Sequence, residues 1–314
     1  MRLRHAMLAI CLPVLMHGEI VSVAESADGP ALRDGDRVVF LGGTLVEREQ
    51  RFGHWETLLT AAYAGQDITF RNLGWSGDTV WGESRGLFEP HLGYQRLVEQ
   101  VTAANPTVVI VAYGSNESYA GEQGLEAFTN QYAKLLDDLS AKDRRFILLC
   151  PLYLEASQIP HNPDAASDFA QTQNANIDLY AEAIGSLAES GGHGIVDLRE
   201  QHRQHLNGDG PPLTFNGLTF TDHGYRRTAV WLTDQLSEHV PLEFETPSVA
   251  ALRDAIIKKN ELFFHRWRPQ NFTYLFGFRQ HEQGNNAVEI PQFDPLVEQA
   301  EQEIAKLAVM ATKD

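Results

Sequence analysis

Thr107-Val108-Val109-Ile110-Val111-Ala112 is followed directly by Tyr113-Gly114-Ser115-Asn116. Four consecutive β-branched aliphatic residues leave no polar face, so a strand here must be buried on both sides, as in a parallel sheet. Residues 37–41, 68–73, 145–149 and 194–198 are similar short apolar runs. Helical patterns lie between them. Leu125, Phe128, Tyr132, Leu135, Leu136 and Leu139, for example, form one apolar stripe at helical spacing. Strand and helix in alternation predict an α/β fold with a five-stranded parallel sheet and helices on both faces. In such sheets ligands bind beyond the carboxyl ends of the strands, so the loops that follow the strands are the places to look for chemistry.

The chain of 314 residues divides into three parts on this reading. Residues 1–24 read as a secretory signal peptide. Arg2, Arg4 and His5 make a positive start, the apolar stretch from Ala6 to Met16 is too short to span a bilayer, and Ser22-Val23-Ala24 supplies a small-residue cleavage site. Pro13 argues against a buried helix there. The expected location is therefore secreted or periplasmic. Residues 35–240 hold the α/β pattern. In residues 241–314 the composition changes: 248–264 read as an amphipathic helix, 266–295 as loop and 295–307 as a final helix. Phe263, Phe264, Trp267, Tyr274, Leu275 and Phe276 are too few to form a core of their own, so this helical extension is expected to pack on the α/β part. The run from Arg266 to Asn271 could then approach the pocket.

A net charge of −17 disfavours nucleic acid and anionic membrane surfaces as partners and favours solubility. Cys11 would leave with the signal peptide, and Cys150 alone cannot form an intramolecular disulfide. No later segment is long and apolar enough to cross a membrane. His54, His161, His193 and His205 show no ligand spacing, so neither a metal site nor another cofactor is expected.

Four blocks occupy the post-strand loops. The first is Leu41-Gly42-Gly43-Thr44-Leu45-Val46-Glu47, and the second is Asn72-Leu73-Gly74-Trp75-Ser76-Gly77-Asp78-Thr79. The third is Tyr113-Gly114-Ser115-Asn116, and the last is Asn216-Gly217-Leu218-Thr219-Phe220-Thr221-Asp222-His223-Gly224-Tyr225. Their order resembles the SGNH (GDSL-type) hydrolases over residues 35–240. That family carries Gly-Asp-Ser after its first strand, a glycine block after the second, Gly-x-Asn after the third and Asp-x-x-His before its last core helix. The resemblance implies a flavodoxin-like three-layer α/β/α sandwich. It also implies an ester hydrolase in which a serine attacks, a histidine takes its proton and an aspartate orients the histidine.

Carried over residue by residue, the resemblance leaves the machinery incomplete. Gly74 and Asn116 match the oxyanion donors of the second and third blocks. Each has an ordinary alternative, as a turn glycine and as a turn or cap side chain. Thr44 takes the serine position, and Gly43 replaces the aspartate before it. Thr44 could instead cap the following helix in a capping box with Glu47. Thr219 falls at the histidine position, and Asn216 (or Phe215, one residue earlier) at the aspartate. A neutral hydroxyl cannot take a proton near pH 7 as imidazole can. His223 beside Asp222 is the rescue candidate, the alternative being an exposed first-turn histidine. Trp75, Trp81, Tyr113, Tyr119 and Tyr153 on these loops could face a sugar or pack beneath the loops. The expectation is an exported family member acting on small-molecule or carbohydrate acyl or acetyl esters, weak or inactive for want of the serine and histidine. The alternative is a non-catalytic binding module on the same scaffold.

Overall fold

A computed structural model describes residues 31–238 and 246–313. The signal-peptide reading of residues 1–24 and the boundary at 240/241 lie outside the described residues. Five parallel strands form one sheet: β1 (Arg37–Gly42), β2 (Thr69–Asn72), β3 (Val108–Ala112), β4 (Arg145–Leu149) and β5 (Gly194–Val196). Their order is β2-β1-β3-β4-β5, so β3, with its uninterrupted run of aliphatic residues, lies at the centre of the sheet. Val38 pairs with Val108 and Leu41 with Val111 in register, which brings the ends of β1 and β3 level.

Alternation along the strands divides the core into two layers. Val38 and Phe40 face a cluster with Trp55, Leu58, Leu59, Tyr225 and Leu232. These come from α2 (His54–Ala62) and α7 (Asp222–Leu236). Val39, Leu41, Val109 and Val111 face the opposite side. There they meet α3 (Gly93–Ala104), α4 (Gly121–Leu139) and α5 (Pro163–Gly191) through Leu97, Val101, Phe128, Tyr132, Leu135 and Ile184. The result is the three-layer α/β/α sandwich implied by the pattern. Two further core helices are α1 (Thr44–Phe52), which leaves β1 directly, and α6 (Arg199–Leu206), which follows β5.

The extension is helical nearly throughout. It comprises α8 (Pro247–Trp267), α9 (Phe272–Leu275), α10 (Gln280–Gln283), a 3-10 segment at Gly284–Gln292, and α11 (Phe293–Ala311). The stretch 266–295, expected as loop, is thus corrected to short helical turns. Carbonyls of Pro269 and Asn271 take the first of these turn bonds, from Phe272 and Tyr274. Helices α8 and α11 share a small apolar cluster with Ala61 of α2, through Val249, Leu252, Ile256, Ile304 and Ala308. Beneath it Lys259, wholly buried, donates to Glu56 Oε2 at 2.9 Å and to the Phe70 carbonyl at 2.9 Å. No helix among the described residues is long and apolar enough to cross a membrane.

Candidate active site

Thr44 is the first residue of α1, with Gly43 as the residue before the helix. Its side chain caps nothing in its own helix. Instead Thr44 Oγ1 accepts the backbone N–H of Gly77 at 3.0 Å. Glu47 does not turn back to complete a capping box either. It accepts the Ser76 N–H and, at 2.8 Å, a proton of Arg268. The first turn of α1 is therefore tied sideways to the second block and to the extension.

The second block enters this arrangement with the other of its two glycines. Gly74 N–H is committed to Asn72 Oδ1 at 2.9 Å, and neither Gly74 nor Gly77 is among the residues lining the pocket. A Cβ at position 74 would stand 2.2 Å from the Glu47 backbone nitrogen, so this glycine allows the loop to pass against α1. Gly77 has φ +72°, a conformation that favours glycine, and it is the one whose amide faces the hydroxyl. Sequence reasoning placed the oxyanion amide at Gly74. The amide that reaches Thr44 is that of Gly77, three residues later in the same block.

Asn116 lines the same pocket as Thr44, and its Nδ2 donates to the Asp78 carbonyl at 3.1 Å. A Cβ at Gly43 would come within 3.7 Å of that nitrogen, so the first and third blocks are adjacent. Behind them lies a buried network that the sequence did not reveal. Asp78 Oδ2 accepts from Arg85 Nε at 2.7 Å and from the Tyr113 hydroxyl at 2.8 Å. Arg85 also donates to the Leu73 carbonyl at 2.8 Å. Glu117 accepts the N–H groups of Val80 and Gly114, both at 2.9 Å, and burial pushes its carboxyl above the usual range. These carboxylates shape the loops from below.

The last block folds as a tight turn across the pocket mouth. Asn216 Oδ1 accepts the N–H of Thr219 at 2.7 Å and of Leu218 at 3.1 Å. It closes its own turn and orients no side chain. Phe215, at the alternative aspartate position, is 56% exposed. Glu155 anchors the turn from beneath, accepting Thr214 N–H at 2.8 Å and its hydroxyl at 2.6 Å. Thr219 lines the pocket with Thr44. His223 does not line it. The His223 ring lies 6.2 Å from that of His205, and Asp222 turns away to His54 at 2.9 Å and Arg253 at 3.2 Å. The Asp222–His54 pair was not legible, because 168 residues separate its members.

Thr44, Asn116 and Thr219 thus converge on one cavity of about 190 Å³ at the carboxyl ends of the strands. Leu149, Cys150, Leu152, Leu218 and Phe220 give it an apolar side. Burial pushes the Cys150 thiol up to about 12, so it stays protonated. Among the described residues no histidine lines this cavity. Of the loop aromatics, Tyr113 and Tyr153 line it. Trp75 is buried against Arg268, Trp81 packs on the core, and Tyr119 is exposed against Phe169. No group of acidic, histidine or cysteine residues that could hold a metal occurs among the described residues.

A family model described as the GDSL-like lipase/acylhydrolase family matches residues 35–227, more than half of the chain. No curated protein matches the sequence. Among solved structures, the chain is similar to an acetylxylan esterase from Geobacillus stearothermophilus. A catalytic mutant of that esterase shares 20% identity and a TM-score of 0.52, over 68% of this chain and 100% of that one. The unmutated form gives 19%, 0.52, 67% and 97%. A gut microbial diltiazem-metabolizing enzyme is 12% identical, with a TM-score of 0.62 over 88% of this chain and 96% of that one. At such identities these likenesses speak for the fold.

Proposed function

The chain belongs to the GDSL-like lipase/acylhydrolase family, and from that premise we propose that its pocket binds a small acyl or acetyl ester, carbohydrate esters included, and turns it over slowly or not at all. The observation that carries this reading is the division of the site into two halves. On the oxyanion side, Gly77 N–H lies 3.0 Å from the Thr44 hydroxyl, and Asn116 stands beside it. We assign the pocket-lining Asn116 to hold the carbonyl oxygen of a bound ester, and Gly77, which like Gly74 lies outside the lining, to hold Thr44 through its amide. On the proton-transfer side there is Thr219 and, among the described residues, no imidazole. The two pocket carboxylates, Asp78 and Glu117, are engaged with Arg85, Tyr113 and backbone amides. A threonine hydroxyl that already accepts a hydrogen bond, with no imidazole among the described residues of its pocket, is a poor nucleophile. His223, paired with the His205 ring outside the pocket, takes no part in this reading. The basic and apolar character of residues 1–24 supports an extracytoplasmic location.

The test uses 4-nitrophenyl acetate and butyrate. Hydrolysis by the purified protein is expected near the uncatalysed rate and unchanged in Thr44→Ala. Turnover above ~1 s⁻¹ that disappears in Thr44→Ala would refute the reading. The complementary variant Thr44→Ser/Asn216→Asp/Thr219→His is expected to gain about two to three orders of magnitude, with each single change nearly silent, because triad members act as a unit. The aspartate introduced by Asn216→Asp would still accept the two turn amides that Asn216 accepts now.

A further inference from the structure

Arg48 stands on the pocket wall one helical turn beyond Thr44, and i,i+4 spacing puts the two side chains on one face of α1. Its Nε is buried without a hydrogen-bond partner, and no acidic side chain pairs with it among the described residues. What surrounds it is aromatic. The guanidinium carbon lies 5.7 Å from the centre of the Phe215 ring and 5.9 Å from that of Phe52, with the Tyr225 hydroxyl bonded to it. The two pocket carboxylates have partners of their own: Asp78 Oδ2 is paired with Arg85 at 2.7 Å, its Oδ1 being without a hydrogen-bond partner among the described residues, and Glu117 accepts two backbone amides.

A planar guanidinium with donors to spare, beside an apolar cavity, is a carboxylate receptor. Its fork matches two carboxylate oxygens, and the low dielectric of the pocket strengthens the bond. Leu149, Leu152, Leu218 and Phe220 would take the hydrocarbon part of the same molecule. We propose that the pocket selects esters that carry a carboxylate, and that Arg48 binds it. This inference rests on the reading of the pocket as an ester site. The carboxylate belongs either to the acyl part, as in a hemiester of a dicarboxylic acid, or to the alcohol part, as in an acylated uronic acid.

Three probes separate these cases by isothermal titration at neutral pH: phenyl butyrate, monophenyl succinate (carboxylate on the acyl side) and 3-carboxyphenyl butyrate (carboxylate on the alcohol side). At least one charged ester is expected to bind about ten- to a hundred-fold tighter than phenyl butyrate, and which one identifies the side. Arg48→Gln should collapse that ratio to near one. Arg48→Lys, which keeps the charge without the fork, should leave an intermediate ratio and serves if the glutamine variant does not fold. Thr219→Trp, which fills the cavity, should abolish binding of all three. Equal affinity for charged and neutral esters in the natural protein would overturn the proposal and leave the ester pocket standing. So would a preference that survives in a folded Arg48→Gln, which would mark Arg48 as a packing strut between Phe52 and Phe215. Failure of all three probes to bind would overturn the ester-site reading and this inference with it.

Discussion

His202 stands directly behind the pocket wall, with its ring 6.2 Å from Tyr153 and 5.9 Å from Phe220. It is wholly buried, and neither ring nitrogen has a hydrogen-bond partner among the described residues. Burial first, and the nearby His205 second, lower its pKa to about 4. The unfolded chain takes up this proton near pH 6.5, before the folded one does. The stabilising contribution is therefore present in full above pH 6.5 and lost as pH falls toward 4. Across that window the loss from this one residue is about 3 kcal/mol. Denaturant titrations at several pH values should show the natural protein losing that much more stability than His202→Phe. Parallel curves for the two proteins would show that the imidazole finds a partner when charged. At this same scale the glycines divide by cause. Gly74 is required by the approach of a backbone and Gly77 by a positive φ, two demands that look alike in a sequence.

At the scale of elements, the start of α1 is the instructive case. The sequence Thr44-Leu45-Val46-Glu47 has the form of a capping box, yet both side chains are drawn to Gly77, Ser76 and Arg268. Tertiary partners outcompete a local cap worth ~1 kcal/mol. The opposite case is α7, where Thr221 accepts the Gly224 N–H at 3.1 Å and caps the helix locally. Helix α8 is held to α2 by a buried ion pair, with Lys259 Nζ 2.7 Å from Glu56 Oε1, and to β2 by the Lys259 bond to the Phe70 carbonyl. Burial pulls the lysine pKa down and pushes the glutamate pKa up, each opposed by its partner. Removing one partner leaves an uncompensated buried group, so Lys259→Met should cost about 3–5 kcal/mol in urea denaturation. The double variant Glu56→Met/Lys259→Met should recover most of that loss, because two apolar groups replace a desolvated pair. A single variant as stable as the natural protein would contradict this account.

At the scale of the whole molecule, the extension reaches the loops of the candidate site through Trp267, edge-on to Trp75 at 5.8 Å, and through Arg268. Arg268 follows α8 directly, and its guanidinium carbon lies 3.5 Å from the centre of the Trp75 ring while it donates to Glu47. Glu47 in turn accepts the Ser76 N–H, next to Gly77. The loop that aims the Gly77 amide is thus clamped by a segment far later in the chain. Arg268→Ala removes a cation–π contact and an ion pair, on the order of 1–2 kcal/mol together. Hydrogen exchange at the Ser76 and Gly77 amides should then quicken by about ten-fold, while amides of β3 stay protected. Unchanged exchange at those two residues would mean that the loop holds itself.

The strand runs, their alternation with helices and the family blocks could be read directly, because a two-sided buried strand needs uninterrupted apolar residues and a post-strand loop needs glycine. The loss of serine, histidine and aspartate from their expected positions was equally legible, since Thr44, Thr219 and Asn216 are simply other residues. Which glycine presents its amide to Thr44, where Asp222 sends its carboxylate, and that Arg48 faces the cavity without an acidic partner among the described residues were settled only in three dimensions. Each depends on the direction of one N–H or side chain relative to residues distant in the chain. Spacing along a sequence carries distance within an element, and direction between elements comes only from their packing.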